Sequence, residues 1–196
     1  MQLLNLLADG AWHAGPELAQ TLGVSRAAVN KQIHKAQALG LEIQTVHGRG
    51  YRLMQAYEPL QTESIRASLS SAARNDLAAI EVLGSINSTN DHLLQNHSSP
   101  ANQVCFAEHQ SGGRGRRGRQ WVSPYGTNLY FSVAWVFAQT PPGLGALSLA
   151  IGVELATILR TYAVDVRLKW PNDLYLEGRK LGGILIEHRG EVAGGS

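Results

Sequence analysis

The sequence is organised around residues 110–121, which read QSGGRGRRGRQW. This stretch holds four arginines and four glycines and contains no acidic residue. Arginine guanidinium groups pair bidentately with carboxylate and phosphate, and glycines let backbone amides approach a ligand closely. The stretch therefore predicts a loop that folds over an anionic ligand. The alternative is a flexible RGG-type segment that contacts nucleic acid backbone, and the stretch by itself leaves both open.

Composition places few limits on the class of protein. The 196 residues, 44% of them hydrophobic, suit one large or two small domains, and a net charge of +2 does not by itself indicate nucleic-acid binding. The single cysteine, Cys105, excludes an internal disulfide and lies in an apolar run that predicts burial. The N-terminus lacks a signal-peptide pattern, and we expect no apolar run of membrane-spanning length. These features predict a cytoplasmic protein with no membrane partner.

Residues 1–56 are predicted to form a winged helix-turn-helix domain. Pro16 can open one helix, Ser25 can cap the next after a glycine-bearing turn, and alternating residues flank the turn around Arg49 as in a hairpin wing. A small helical module that never contacts DNA is the alternative; the order of helix, turn, helix and wing favours DNA binding. The predicted DNA-contacting residues are Ser25, Arg26, Asn30, Lys31, His34, Lys35 and Arg49.

Residues 57–62 are predicted to be a linker, and residues 63–196 a larger α+β domain. A short helix that contains Ile65 and Leu69 is predicted before the first strand. A helix opened by Ser88 follows that strand, and another helix, at 147–159, is expected to be core. Strands are predicted at 80–83, 104–108, 129–137 and 166–170, followed by a hairpin at 174–187. Lys169 lies between Leu168 and Trp170 in a strand expected to be buried, so it should need an anionic partner.

Several familiar catalytic motifs are absent from the sequence. There is no Walker-type phosphate loop and no G-x-S-x-G, and the seven histidines lack zinc-site spacing, so no metal ligands are predicted within the chain. The remaining chemistry-bearing features are the arginine-rich stretch, Lys169 with Asn172, and Lys180 before two glycines. They favour a reaction in which positive charge and backbone dipoles stabilise a crowded phosphate.

Four motifs in order carry a resemblance to a known family. They read STN at 88–90, GRGRRGRQW at 113–121, KWPND at 169–173 and KLGGIL at 180–185. Together they resemble the biotin–protein ligases, and the winged helix is similar to the bifunctional subgroup that also represses biotin synthesis. The resemblance implies a mixed-sheet catalytic domain of the class II synthetase type. The family normally continues with further strands and a C-terminal barrel, so the resemblance also implies an incomplete ligase domain here, without assignable adenine-side residues.

The resemblance implies adenylation followed by acyl transfer. Biotin and ATP, with Mg²⁺, would give biotinyl-5′-AMP, which would pass biotin to a lysine of a biotin carboxyl carrier protein. Biotinyl-5′-AMP would also act as corepressor, favouring a homodimer that binds operator DNA. Two alternatives stay open, namely a regulator that senses a ligand without ligase activity and a relative of the lipoate ligases.

The implied site residues fall into overlapping sets. Lys180, Arg116 and Lys169 would be catalytic. The implied biotin-binding residues are Ser88, Thr89, Asn90, Gln110, Gly113, Arg114, Gly115, Arg116, Arg117, Lys180 and Gly183. The implied nucleotide-binding residues are Arg117, Arg119, Trp121, Lys169, Asn172 and Lys180.

Overall fold

The N-terminal helices form around a compact leucine-rich core. The computed structural model describes residues 2–96, 102–137 and 143–188. Helices α1 (Gln2–Leu7), α2 (Gly15–Thr21) and α3 (Arg26–Ala38) begin as expected, since Pro16 lies in the first turn of α2 and Ser25 Oγ accepts the Ala28 amide at 3.2 Å. Leu4, Leu7 and Val29 are fully buried, and each such side chain stabilises the fold by about 1.5–3 kcal/mol.

The wing is an antiparallel hairpin. Strands β1 (Ile43–Val46) and β2 (Gly50–Leu53) pair in the register Val46 to Gly50. Gly50 has φ +110°, and a Cβ there would overlap the carbonyl oxygen of His13. His13 and Tyr51 exchange two backbone hydrogen bonds of 2.9 Å, which fix the wing to the segment before α2. The predicted helix-turn-helix and wing are thereby confirmed.

The segment predicted to be a linker is held by defined contacts. The Tyr57 amide donates to the Ala8 carbonyl at 3.1 Å, and the Leu60 amide donates to Glu108 Oε1 at 2.7 Å. Two short helices follow, α4 (Thr62–Ser68) and α5 (Ser71–Asp76), of which only α4 was expected. Leu69, expected within α4, is its extended C-cap.

A mixed three-stranded sheet follows. Strand β3 (Leu77–Leu83) runs parallel to β4 (Asn102–Ala107), which pairs antiparallel with β5 (Tyr130–Ala134). Helix α6 (Thr89–Gln95) follows β3, and Ser88 Oγ accepts the Asp91 amide at 3.4 Å, as the capping pattern predicts. The predicted strands are therefore present, although β5 ends before Trp135 and the predicted 129–137 strand is too long.

The described chain divides into two compact units. Unit 1 comprises the described residues of Met1–Gly113 and Trp121–Val136, and unit 2 those of Arg114–Gln120 and Phe137–Ser196. Unit 2 contains α7 (Leu147–Thr161) and an antiparallel sheet in the order β6 (Arg167–Lys169), β7 (Asp173–Leu176), β8 (Arg179–Gly183). The core of unit 2 contains Ala156, Val166 and Leu174. Residues 189–196, at the end of the predicted larger domain, lie outside the described residues.

Of two expectations about burial in unit 2, one is correct only in part and the other is wrong. Helix α7 buries only a narrow stripe at Gly152 and Ala156, while Val153 and Ile158 are 51% and 53% exposed. Among the described residues β6 lies at the edge of its sheet, and the residues that flank Lys169, Leu168 and Trp170, are 39% and 78% exposed. Lys169 is itself exposed, so it does not need an anion to offset desolvation.

One apolar segment contradicts the prediction that no apolar run reaches membrane-spanning length. Leu144–Thr161, which contains α7, is long and apolar enough to cross a membrane by length and composition. The expectation that no run reaches that length is therefore wrong. A single helix of this kind is weak evidence for a membrane span, because core helices of soluble proteins meet the same criteria.

Candidate functional site

A buried polar cluster in unit 1 joins three predicted ligand residues. We define the polar cluster as Ser88, Thr89, Gln110, Ser123 and Ser132. Gln110 Oε1 accepts the Thr89 amide at 2.9 Å and the Thr89 hydroxyl at 3.1 Å, while the Thr89 and Ser132 hydroxyls lie 2.8 Å apart. Gln110 Nε2 donates to Ser123 Oγ at 3.3 Å. Ser88 and Thr89 are only 2% and 3% exposed, so the cluster is preorganised rather than solvated.

Neighbouring backbone segments hold this cluster in place. Gln110 bridges to Ile86 on one side and to Ser123 on the other, immediately after β4. The residues between β3 and α6 therefore lie beside the residues after β4, which is the end of a parallel pair where α/β proteins bind ligands. Asn90 lies in the first turn of α6 and is half-buried.

The arginine-rich stretch starts from this cluster. Gly113 is buried, and its carbonyl accepts the Trp121 amide at 2.8 Å, which closes the base of the loop. A Cβ at Gly113 would meet the Trp121 carbonyl oxygen at 2.6 Å and Ser123 Oγ at 2.8 Å. Glycine at this position therefore permits the close approach of two backbone segments.

The loop itself, Arg114–Gln120, is a closed turn in unit 2. The Gly115 amide donates to the Arg119 carbonyl at 2.7 Å, and residues Arg116–Gly118 form a single 3-10 turn. Arg117 has a left-handed backbone with φ 58°, a conformation that costs a residue with a Cβ about 1 kcal/mol or more. The four arginine side chains of the loop are exposed.

A second group, the cation cluster, is defined by Arg114, Arg116, Asn172, Asp173, Lys180 and Glu187 of unit 2. Arg116 donates to Asn172 Oδ1 at 3.1 Å, Arg114 pairs with Glu187 at 2.9 Å, and Lys180 Nζ lies 2.7 Å from Asp173 Oδ1. Predicted residues from three separate motifs thus meet within this unit. A Cβ at Gly183 would lie 3.3 Å from Lys180 Nζ, so this glycine leaves room for the ammonium group.

Lys169 lies apart from these pairs. Its ammonium group is 3.3 Å from the Tyr175 hydroxyl and 5.0 Å from the centre of that ring, a cation–π arrangement. A hollow of about 10 Å³, with room for roughly one water, lies nearby. Its lining residues are Ser148, Leu149, Gly152, Leu168, Lys169, Pro171, Asn172, Asp173 and Ile184.

The two clusters belong to different units, so their meeting in one ligand site stays a prediction. Sequence reasoning missed Ser123, Ser132 and Glu187. Ser132 had a local signal, because it is a hydroxyl between Phe131 and Val133 in an apolar strand. Glu187 had none, because its contact with Arg114 joins residues that are far apart in the chain.

The predicted DNA-contacting residues lie on α3 and the wing. Arg26, Lys31, His34 and Lys35 are exposed on α3, and Asn30 is exposed with its amide 3.4 Å from the Tyr51 hydroxyl. Sequence reasoning missed Trp12. The Arg49 and Arg52 guanidinium carbons lie 4.5 Å and 5.4 Å from the centre of its ring.

Two buried ionisable groups are perturbed by their surroundings. Burial raises the pKa of the Cys105 thiol to about 11, and the residue has no exposed surface. The prediction that Cys105 is buried is therefore confirmed. Burial also raises the pKa of Glu108, although the Leu60 amide opposes that shift.

Comparisons with known proteins agree with the predicted order of a helix-turn-helix domain followed by a ligase domain. The family model for the biotin/lipoate A/B protein ligase family matches residues 82–194, and a helix-turn-helix domain model matches residues 1–52. The chain is 45% identical to the bifunctional ligase/repressor BirA of Escherichia coli over 98% of its length and 59% of that protein.

Two other relatives are more distant. The bifunctional ligase/repressor BirA of Bacillus subtilis is 32% identical over 91% of this chain and 55% of its own length. The biotin–[acetyl-CoA-carboxylase] ligase of Mycobacterium tuberculosis is 36% identical over 66% of this chain and 51% of its own length. The chain thus spans between half and three fifths of these relatives. It belongs to the biotin/lipoate A/B protein ligase family and has an N-terminal helix-turn-helix domain.

Proposed function

We propose that this chain belongs to an ATP-dependent biotin–protein ligase that also represses transcription. Residues 1–56 would bind operator DNA, residues 57–62 would be the linker, and residues 63–196 would supply ligase residues. The protein would act in the cytoplasm. The observation that carries the proposal is the polar cluster, which passes directly into an arginine loop in a chain of the biotin/lipoate ligase family. The names of the relatives support both activities.

The polar cluster suits the uncharged head of a biotin-like acid. Its hydroxyl and amide groups both donate and accept hydrogen bonds, and Ser88, Thr89 and Ser123 are buried, so a ligand without matching polar atoms would leave polar groups unpaired. Ser88, Thr89, Asn90 and Gln110 would bind the head, and the segment from Gly113 to Arg117 would close over it. Lys180 and Gly183 would lie at the carboxylate end.

The cation cluster suits the charged part of the reaction. The biotin carboxylate would attack the α-phosphorus of ATP, the bond to the bridging oxygen would break, and pyrophosphate would leave. Arg116 and Lys180 would offset the repulsion between carboxylate and polyphosphate, with Lys169, Asn172, Arg117, Arg119 and Trp121 on the nucleotide side. A lysine amine of the biotin carboxyl carrier protein would then attack the acyl carbon, lose a proton and release AMP.

The carboxylates of the cation cluster also fit Mg²⁺, which binds proteins through one or two carboxylates and takes its other ligands from water and phosphate. Asp173 would hold the ion through the oxygen that Lys180 does not engage. When bound, the ion would neutralise phosphate charge.

The helix-turn-helix domain supports the repressor role. Arg26, Lys31 and Lys35 project from α3, and Arg49 lies in the wing, an arrangement that suits a major groove and an adjacent phosphate backbone. Biotinyl-5′-AMP would act as corepressor by favouring a homodimer that binds operator DNA.

Calorimetric titration of this chain with biotin, and separately with lipoate, tests the proposal. We expect biotin to bind, lipoate to bind at least about tenfold more weakly, and Thr89→Val to lose affinity because one hydroxyl leaves a buried network. Thr157→Val is the matched control, since the Thr157 hydroxyl donates to the Val153 carbonyl of its own helix. Tighter binding of lipoate, or no binding of biotin, would overturn the assignment.

A further inference from the structure

Three potential metal ligands meet on the sheet of unit 1. Glu81 of β3 is paired in register with Cys105 of β4, and His92 lies on α6. One ligand atom from each side chain lies within 4.8 Å of the other two. His92 Nε2 is 2.6 Å from Glu81 Oε2. The three donors come from separate elements, which explains why their spacing in the sequence gave no signal.

These contacts differ from an ordinary surface ion pair, and the chain contains a comparison. His13 and Asp9 form a similar pair, 2.9 Å apart, with side-chain exposures of 25% and 56%. His92 and Glu81 have nearly the same exposures, 24% and 48%. Only the second pair lies against a sulfur atom, that of Cys105, which is fully buried. The difference between the two pairs is therefore the thiol.

The donor set matches a borderline-soft divalent cation. Zn²⁺ takes cysteine sulfur, histidine nitrogen and carboxylate oxygen, and tetrahedral coordination places neighbouring ligand atoms roughly 3.3–3.6 Å apart. The present separations, up to 4.8 Å, differ from that arrangement by about the movement of one side chain. Asn96 Nδ2 lies 3.3 Å from His92 Nδ1, and a half-turn of the Asn96 amide would present its oxygen to the N–H that a metal-bound ring donates.

We propose that Glu81, His92 and Cys105 bind Zn²⁺, with water as the fourth ligand on the exposed Glu81 side. The Zn–S bond forms as the Cys105 thiol loses its proton to solvent, and no electron is transferred. The bound ion ties α6 to β3 and β4. Since α6 begins at Thr89 of the polar cluster, the ion fixes the helix about one turn beyond that site. The inference does not depend on the proposed ligase activity.

Cobalt substitution tests the site because Co²⁺ adopts similar coordination and is coloured. We expect one equivalent of Co²⁺ to give a thiolate-to-metal charge-transfer band in the near ultraviolet, and Zn²⁺ to displace it. Cys105→Ser is expected to abolish the band. His92→Gln should weaken Zn²⁺ binding at least about tenfold. Because His92 is partly exposed, this variant should fold and so tests the site even if Cys105→Ser does not fold.

His13→Gln is the matched control, because it removes an equivalent histidine–carboxylate pair that has no thiol. Unchanged Zn²⁺ affinity in His13→Gln, with loss in His92→Gln, supports the site. A missing charge-transfer band, or equal losses in the two histidine variants, overturns it. Raised thermal stability of the wild-type chain with one equivalent of Zn²⁺, absent in His92→Gln, is the second readout.

Discussion

Gly113→Ala offers the sharpest test of how the arginine loop is attached to the polar cluster. A Cβ at this position lies 2.6 Å from the Trp121 carbonyl oxygen, about 0.8 Å short of an ordinary 3.4 Å contact. The obstacle is backbone, and it is held by the hydrogen bond from the Trp121 amide to the Gly113 carbonyl. The strain therefore cannot be relieved by turning a flexible side chain.

The expected cost follows from that overlap. Overpacking of a well-packed site costs about 1–3 kcal/mol, and about 2 kcal/mol lowers the melting temperature of a chain of this size by about 4–8 °C. The added methyl group also lies 2.8 Å from Ser123 Oγ and 3.3 Å from Gln110 Nε2. Because Gln110 orients Thr89, we expect loss of about one good hydrogen bond, which corresponds to roughly tenfold weaker biotin binding.

Thermal denaturation and biotin calorimetry measure the two effects. Gly145→Ala is the control, since its Cβ would meet nothing within 4 Å and its backbone does not require glycine. The control should retain both the melting temperature and the biotin affinity. If Gly113→Ala melts and binds like the wild type, the close approach of the two loop segments is not a constraint and the reasoning fails.

Three further predictions concern unit 1. Burial raises the pKa of Glu108 in the folded chain above its ordinary 4.5. The contribution of Glu108 to the free energy of unfolding should therefore fall as the pH rises from 4.5 to the raised folded pKa, and it should then level off. Urea unfolding of wild type and Glu108→Gln from pH 4 upward checks this, and identical pH profiles would contradict it. Trp12→Ala should weaken operator binding by several fold, since Arg49 loses the ring over which it lies; fluorescence anisotropy that detects no change would exclude this role. Ser25→Ala should cost about 1 kcal/mol by removing the α3 cap, whereas Ser25→Asp should retain it, as urea denaturation can verify.

Local features of the fold followed from the sequence. Ser25 and Ser88 both cap helices through the amide three residues on, because capping depends only on a short side chain and the first helical turn. The wing followed for the same reason, since a glycine turn between alternating residues is a local signal. The extents of β5 and α5 did not follow, because they depend on pairing partners and packing elsewhere in the chain.

Contacts between distant residues could not be predicted in this way. Ser132 completes the Thr89 network only because β5 pairs with β4 in one register. The exposure of Leu168 and Trp170 depends on β6 lying at the edge of its sheet. A sequence pattern specifies which residues alternate along a strand, but it does not specify which side of the strand lacks a neighbour.

The two clusters differ in the energy needed to admit a ligand, and the difference suggests a division of roles. Lys180, with its side chain 38% exposed, and Arg114, at 40%, already have carboxylate partners, and such exposed pairs contribute only about 0–1 kcal/mol. A polyphosphate carries more charge than a single carboxylate, so it can replace these partners at low cost. Thr89, by contrast, is buried and fully engaged, so a ligand that disturbs it must replace its hydrogen bonds. Under the proposed function, the polar cluster would therefore determine which acid binds, whereas the cation cluster would lower the barrier to its activation.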